Sequence, residues 1–355
     1  MTRMESGQAL RTSRVGVMVN RLIKFAKDKN IKRKLGKIVH WTLRYTLMIT
    51  MSYMILVPIL TMISYSFTHP RHIGTVGSLW IPAVISADNF RVAWAVMDVW
   101  RSVPYTTLLV SAVVILQIAN AALAGYAFAR LRFKGMGILF VFALVTFAVP
   151  SRVLLLPQGH LFRSFDPLGL FSLIGNGPIN LMSRPAVLFL MAGLGIGIAS
   201  GLFIYIFRQF FRGLPKELEE AAYVDGAGVI RTFLSVVLPM AKPGFLTVGV
   251  LSFIWNWNDT HFVGQFVPDL RHLSLRMATL RVVAGGTPRI HQYIGMARRD
   301  GRLPWSGITV LSTNPYYDNA LLTVCTLITI LPLLILFLII QRQFVQGVER
   351  SGIVG

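Results

Sequence analysis

Long uncharged apolar runs recur along the chain, separated by short basic or turn-rich connections. Six of them are near the ~20 residues that a helix needs to cross a hydrocarbon core. They lie at about 43–67, 106–128, 137–157, 186–207, 244–262 and 319–340. The first is uncharged after Arg44, Pro150 and Arg152 break the third, and the fifth is the least apolar because it ends in Trp255-Asn256-Trp257-Asn258-Asp259. Within a bilayer the backbone must satisfy its own hydrogen bonds, so these runs predict helices. Period-2 alternation is absent, which disfavours a β-barrel. The fold class predicted is an all-α membrane protein with six transmembrane helices.

Between the fourth and fifth runs lies a segment of a different kind, about 213–243. Pro215 suits a first helical position. Glu217, Glu219 and Glu220 fall in the first turns, where acids complement the helix dipole. Leu214, Leu218, Ala221 and Ala222 predict one narrow apolar face, and Asp225-Gly226 predicts a turn, because glycine tolerates positive φ. A second helical piece over about 229–238 ends at Pro239. The segment is too polar to insert and too patterned for a linker.

Charge orients the chain. Residues 1–42 hold eleven Lys and Arg, including the stretch "NIKRKLGK". The second-to-third connection adds Arg130, Arg132 and Lys134, and the 213–243 region adds Lys216, Arg231 and Lys242. Positive charge marks the cytoplasmic side, so both termini, the basic arm 1–42, the 213–243 loop and the tail 341–355 are expected inside. The arm is too long, and the following apolar run too close to span length, for a signal peptide. It either contacts anionic lipid or is a solvated arm that fixes topology. The 261–318 loop is expected outside although it carries seven arginines (Arg271, Arg276, Arg281, Arg289, Arg298, Arg299, Arg302); loops of this length obey the charge rule poorly. With its aromatic end "LPWSGITVLSTNPYYDN", it is expected to dock an acidic partner face, to guide an anionic solute, or to meet headgroups.

Of 355 residues, 54% are hydrophobic and 14% charged, with a net charge of +21. So basic a soluble protein would suggest nucleic acid; here the apolar content makes membrane topology the better account, and no nucleic-acid partner is expected. A single cysteine, Cys325, excludes an intrachain disulfide and a cysteine metal cluster. No G-x-x-x-x-G-K-[ST] loop is present, the histidines show no i, i+4 metal pair, and no catalytic or metal site is expected.

Glu220-Ala221-Ala222, three residues, Gly226, nine residues, then Val236-Val237-Leu238-Pro239 resembles the "EAA" loop of ABC-importer permease subunits, with Val236 replacing isoleucine. The flanks "LPKELEEAAYVDGAG" and "WNWND", with "YAFARLRFKG" and the terminal "FVQGVERSGIVG", are similar to the carbohydrate-type permeases related to the maltose and glycerol-3-phosphate systems. The likeness covers roughly residues 43–355. It implies a type I ABC importer permease fold in a bacterial inner membrane and a coupling helix seated in a cleft of a separate ATPase. Glu220 would contact that ATPase, Ala221 and Ala222 would pack closely, and Asp225, Gly226, Leu238 and Pro239 would shape the loop. It also implies two ATPase copies that bind ATP and Mg, a second permease in a heterodimer, and an extracytoplasmic solute-binding protein. The chain itself needs no cofactor.

Gly193, Gly197 and Gly201 repeat every fourth residue, the small-xxx-small pattern of close helix approach. Gln117, Asn120, Arg152 and Asn256 are polar at membrane depth and candidates to line a solute pathway; sugars suit amides and aromatic surfaces. The reading is a carbohydrate importer permease working by alternating access. An importer for a non-sugar solute stays open. An ion-coupled secondary transporter would require midplane carboxylates or an internal repeat, and a non-transporting scaffold would leave the coupling loop unexplained.

Overall fold

The computed structural model describes residues 29–352, apart from 75–80, 83, 176, 282, 285–286 and 304–315. Most of the basic arm and the aromatic stretch 304–315 lie outside the described residues. The chain forms two compact units, residues 1–63 and 64–355.

The helix α1, Lys29–Phe67, most of which lies in the first unit, starts well before the predicted apolar run. It exposes apolar side chains on all sides, among them Trp41, Leu43, Met48 and Ile55. A helix apolar all round is built for lipid or for another helix rather than water.

Among the described residues the second unit is mainly helical, with a hairpin of β1 (Val283–Ala284) and β2 (Thr287–Pro288), paired antiparallel with Val283 opposite Pro288. Its elements are α2 (Asp88–Met97), α3 (Val99–Arg130), α4 (Met136–Ala148), α5 (Ser151–Arg163), α6 (Ala186–Gly193) and α7 (Ser200–Arg212). Then come α8 (Glu217–Val224), α9 (Val229–Met240, with a π-turn over Phe233–Val237), α10 (Lys242–Trp257), α11 (His261–Phe266), α12 (Leu273–Leu280), α13 (Arg289–Arg299) and α14 (Tyr317–Gly352).

Among the described residues, three helices are long and apolar enough to span: Gly36–Phe67 within α1, α3, and Tyr317–Arg342 within α14. The pairs α4–α5 and α9–α10 are bent by 107° and 77°. At the first bend, Pro150 lacks an N–H to continue the ladder and pushes Val149 to extended ψ 126. The predicted fourth span, 186–207, is not one helix. Residues 194–199 interrupt it, with Gly195 at φ +73 and Ala199 at φ +53.

Packing centres on α3, 32 residues and about 48 Å long. One core joins α2, α12, α13 and α14 around Met97, Trp257, Leu273, Leu321 and Cys325; the Trp257 indole donates to the Thr329 carbonyl at 3.0 Å. A second gathers Phe162, Met191, Phe262 and Phe266. A third packs Tyr126, Phe203, Phe207, Phe211 and Phe233 where α3 meets α7 and α9.

Candidate functional site

The helix α8 ends as its residues dictate. The Gly226 N–H reaches the Tyr223 carbonyl at 3.0 Å and the Ala227 N–H reaches the Ala222 carbonyl at 2.9 Å. This paired arrangement needs a left-handed residue after the cap, and Gly226 supplies it at φ +81. Asp225 is the preceding C-cap. Leu238 and Pro239 begin the last short turn of α9 before the bend into α10.

The single apolar face expected over Leu214, Leu218, Ala221 and Ala222 is divided. Ala222 is buried with Glu219 against the protein's own body, whereas Leu218, Glu220, Ala221 and Val224 are exposed. Ile230 and Leu234 add further exposed apolar surface on α9. Of the three glutamates, the buried one is Glu219. Its carboxylate meets the Arg130 guanidinium at 2.7 Å, both side chains being 8% exposed. The Tyr126 hydroxyl donates to its other oxygen at 3.3 Å, and Arg130 donates to the Leu214 carbonyl at 2.8 Å. Tyr126 and Arg130 sit four apart on the last turns of α3, hence on one face. That spacing at the end of an apolar helix was the available signal for this cluster, in which Arg130 carries more than a topology charge and Glu219 more than a dipole partner.

Deeper in the bundle, the interruption of 194–199 leaves carbonyls without helical partners. α3 provides them. Asn120 Nδ2 donates to the Gly193 carbonyl at 2.7 Å, and Gln117 Nε2 donates to the Ile198 carbonyl at 2.5 Å. Gln117 Oε1 accepts from Ser252 Oγ at 2.7 Å and Asn256 Nδ2 at 3.0 Å, which ties α10 into the same knot. Non-helical backbone at membrane depth is tolerated where protein or a cavity satisfies it in this way. Gln117 is therefore fully buried among protein partners, and Asn256 reaches a small cavity of about 30 Å³ shared with Asp259 and His272.

A larger cavity of about 430 Å³ opens beside it, where the α4–α5 bend, the 194–199 interruption and the end of α10 converge. Trp255, Asn258, His261 and Gln158 contribute to its wall. Arg152 Nη2 lies 3.4 Å from His261 Nε2 at the edge. The Asp259 carboxylate also lines it but is occupied by the backbone N–H groups of His261, Phe262 and Val263 at 2.9–3.2 Å, so it caps α11. The pathway candidates Gln117, Asn120 and Asn256 are not among the residues lining this larger space. Its volume is in the range of small-molecule sites.

The three glycines read as one packing face lie on two helices and the interruption between them. A Cβ on Gly201 would stand 2.2 Å from the Ala143 carbonyl oxygen of α4; one on Gly197 would meet Gln117 at 3.4 Å; one on Gly193 would meet nothing within 4 Å. Close approach holds for Gly201 alone of the three. Gly125, on α3, also lies close to α7, with a Cβ falling 2.6 Å from that of Phe207.

Residues 91–350 match the family described as "Binding-protein-dependent transport system inner membrane component". An arabinooligosaccharides transport system permease protein of Halalkalibacterium halodurans is 27% identical over 337 residues, covering 92% of this chain and all of that protein. A melibiose/raffinose/stachyose import permease protein of Bacillus subtilis is 25% identical over 79% of this chain and 86% of its own length. A bacterial ABC transporter structure, described as involved in import of the acidic polysaccharide alginate, has a chain that superposes with a TM-score of 0.57 at 16% identity, covering 87% of this chain and 98% of that one.

Proposed function

Because the chain belongs to the binding-protein-dependent transport system inner membrane components, matched over residues 91–350, we propose that it is a permease subunit of an ATP-driven saccharide importer. The substrate class follows the relatives, whose names specify arabinooligosaccharides and the raffinose series. The chain forms half of a pathway through a bacterial inner membrane, with a second permease supplying the other half. It crosses six times with both termini inside: α1, α3 and α14 as unbroken spans, the bent or interrupted helices supplying the rest.

The observation that carries the reading is α8 with its turn. One side is anchored to α3 by buried groups, and the other presents Leu218, Glu220, Ala221 and Val224 outward. An apolar patch rimmed by charge is a surface for a protein partner, here one of two ATPase subunits, which bind ATP and Mg. This chain supplies no hydrolytic chemistry. Closure of the ATPases shifts α8, and the interrupted helices convert that shift into opening of the cavity towards a solute-binding protein. Around that cavity, Trp255 offers a stacking face for a sugar ring, and Asn258 and Gln158 offer amides for hydroxyls.

The complete complex, made with its ATPase subunits, second permease and binding protein, is expected to take up a radiolabelled oligosaccharide into proteoliposomes only with internal ATP and binding protein. Uptake that ignores ATP but follows a proton or sodium gradient refutes the importer assignment.

A further inference from the structure

The groups that hold α8 form a compact joint. The Arg130 guanidinium contacts both the Glu219 carboxylate and the Leu214 carbonyl of the chain entering α8. The Tyr126 ring packs on Phe211 of α7 and Phe233 of α9, with centroids 5.7 and 4.7 Å apart, closing the joint with aromatic walls. A buried ion pair adds little net stability, because desolvation offsets most of the attraction. The cluster does impose one register, since the charge pair is flanked by two directional hydrogen bonds, from Arg130 Nη2 to the Leu214 carbonyl and from the Tyr126 hydroxyl to Glu219, which hold where apolar faces slide.

The joint also has a direction. Thirteen residues before Arg130 on the unbroken α3, about 20 Å along the axis, Gln117 binds the Ile198 carbonyl, Ser252 and Asn256. The other helices leading inward from the loop are interrupted: α9 turns 77° into α10, and α7 begins only at Ser200, after the break. The straight connection from α8 to the polar knot beside the cavity is α3.

We propose that the Arg130–Glu219 pair, closed by Tyr126, is a rigid joint through which α8 and α3 move as one body, carrying the displacement of α8 to the knot at Gln117. This rests on α8 being the ATPase-coupling helix. Arg130 and Glu219 are then positioning residues for transport, distinct from Glu220, which faces outward.

The test uses the complete transporter with Cys325→Ala, carrying Arg130→Cys with Glu219→Cys. Without the ion pair, the complex should assemble and keep its basal ATP hydrolysis, while binding-protein-stimulated hydrolysis and uptake fall about tenfold, within the span of typical coupling energies. Bridging the two thiols with a short bifunctional thiol reagent should restore most of both, because a joint that never opens loses nothing by being made covalent. Bridged complexes that stay inactive, or unbridged ones that transport like wild type, overturn the proposal. An apolar pair, Arg130→Met with Glu219→Leu, provides a check independent of cysteine chemistry. It should keep the melting temperature and lose stimulation; wild-type stimulation overturns the joint as well. A wild-type complex with no stimulation by binding protein and substrate would instead remove the importer reading beneath it.

Discussion

Replacing Gly201 with alanine places a Cβ 2.2 Å from the Ala143 carbonyl oxygen and 3.0 Å from Thr146 Oγ1. Carbon and oxygen ordinarily approach no closer than about 3.3 Å, so the shortfall is roughly 1 Å. The Thr146 hydroxyl can rotate, but the Ala143 oxygen is backbone inside α4 and cannot. The helices α4 and α7 must therefore separate by about that distance. A gap of this size forfeits about a quarter to a half of each dispersion contact across it, and overpacking of this kind costs about 1–3 kcal/mol. At about 2 kcal/mol, the folded-to-unfolded ratio falls about thirtyfold. Alanine at Gly193, where nothing lies within 4 Å, should be neutral or gain up to about 1 kcal/mol of helix propensity. Alanine at Gly197 makes an ordinary contact with Gln117. The three variants, heated in detergent and followed by fluorescence-detected size exclusion, should separate, with only Gly201→Ala melting clearly below wild type. Equal losses at all three would mean that one continuous helix face packs there, and a neutral Gly201→Ala would mean that the α4–α7 contact is not as close as described.

Glu220→Lys combined with Gly226→Val should lower stimulated ATP hydrolysis without loss from the membrane. The valine must adopt a left-handed backbone at about 1–2 kcal/mol, and the lysine opposes the helix dipole on the outward face; normal transport by the double variant refutes the coupling role. Thiols introduced at Lys24 and Gly226 should label only after the membrane is opened, and one at Gly295 in intact spheroplasts; outside labelling at 226 reverses the topology. His272, in the connection between α11 and α12, is fully buried, and burial pushes its pKa down to about 4. The unfolded chain takes up this proton first, so stability is complete above about pH 6.5 and declines as pH falls towards 4. The loss is about 2 kcal/mol between pH 7 and 5; His272→Leu should flatten the melting-temperature profile over that range, and an unchanged profile refutes the assignment. Arg302→Gln should lower the melting temperature, whereas Arg299→Gln should leave it in place; the reverse order would show that Arg302 does not cap α2.

The parts of this fold legible in the sequence are those fixed by neighbouring residues or by solvent. Apolar run length locates α3 and α14, because the bilayer is uniform along the chain. It misses where α1 begins and how far α14 continues, since a helix leaving the bilayer need not stop. The turn at Gly226 is readable because one glycine and one short helix determine it. The face of α8 is not readable: which of Glu219 and Glu220 turns inward depends on Arg130, nearly ninety positions earlier. Hydropathy cannot register the interruption of 194–199 either, because Leu-Gly-Ile-Gly-Ile-Ala is as apolar as a helix. Its signal is the odd glycine, Gly195, which stands outside the four-residue repeat and takes the positive φ. A Cβ there would fall 2.6 Å from Asn120 Oδ1, so the glycine and the amide that partners the broken helix are one feature seen from two helices.

The excess of arginine in the 261–318 loop, where the charge rule does not ask for it if the loop lies outside as expected, has a local cause. The helix α2 ends at Met97, and α3 starts at Val99 with only Asp98 between them, in a left-handed conformation at φ 47. So abrupt a junction leaves the last carbonyls of α2 facing the connection, where the helix dipole is negative. Arg276 donates to the Val96 carbonyl at 3.0 Å and lies over the Tyr293 ring at 5.2 Å. Arg302 donates to the Ala95 carbonyl at 2.7 Å and pairs with Asp300 at 2.5 Å and Asp98 at 3.8 Å. Cations bound in this way fix α12 and the turn after α13 to the end of α2, and they are not free to attract a passing anion. Arg299 is exposed, so any electrostatic guidance of a binding protein falls to such surface charges rather than to the loop's total. Positive charge in this loop is simple to explain as helix capping without any appeal to topology, because the carbonyls it answers have the same fixed position whichever way the chain is inserted.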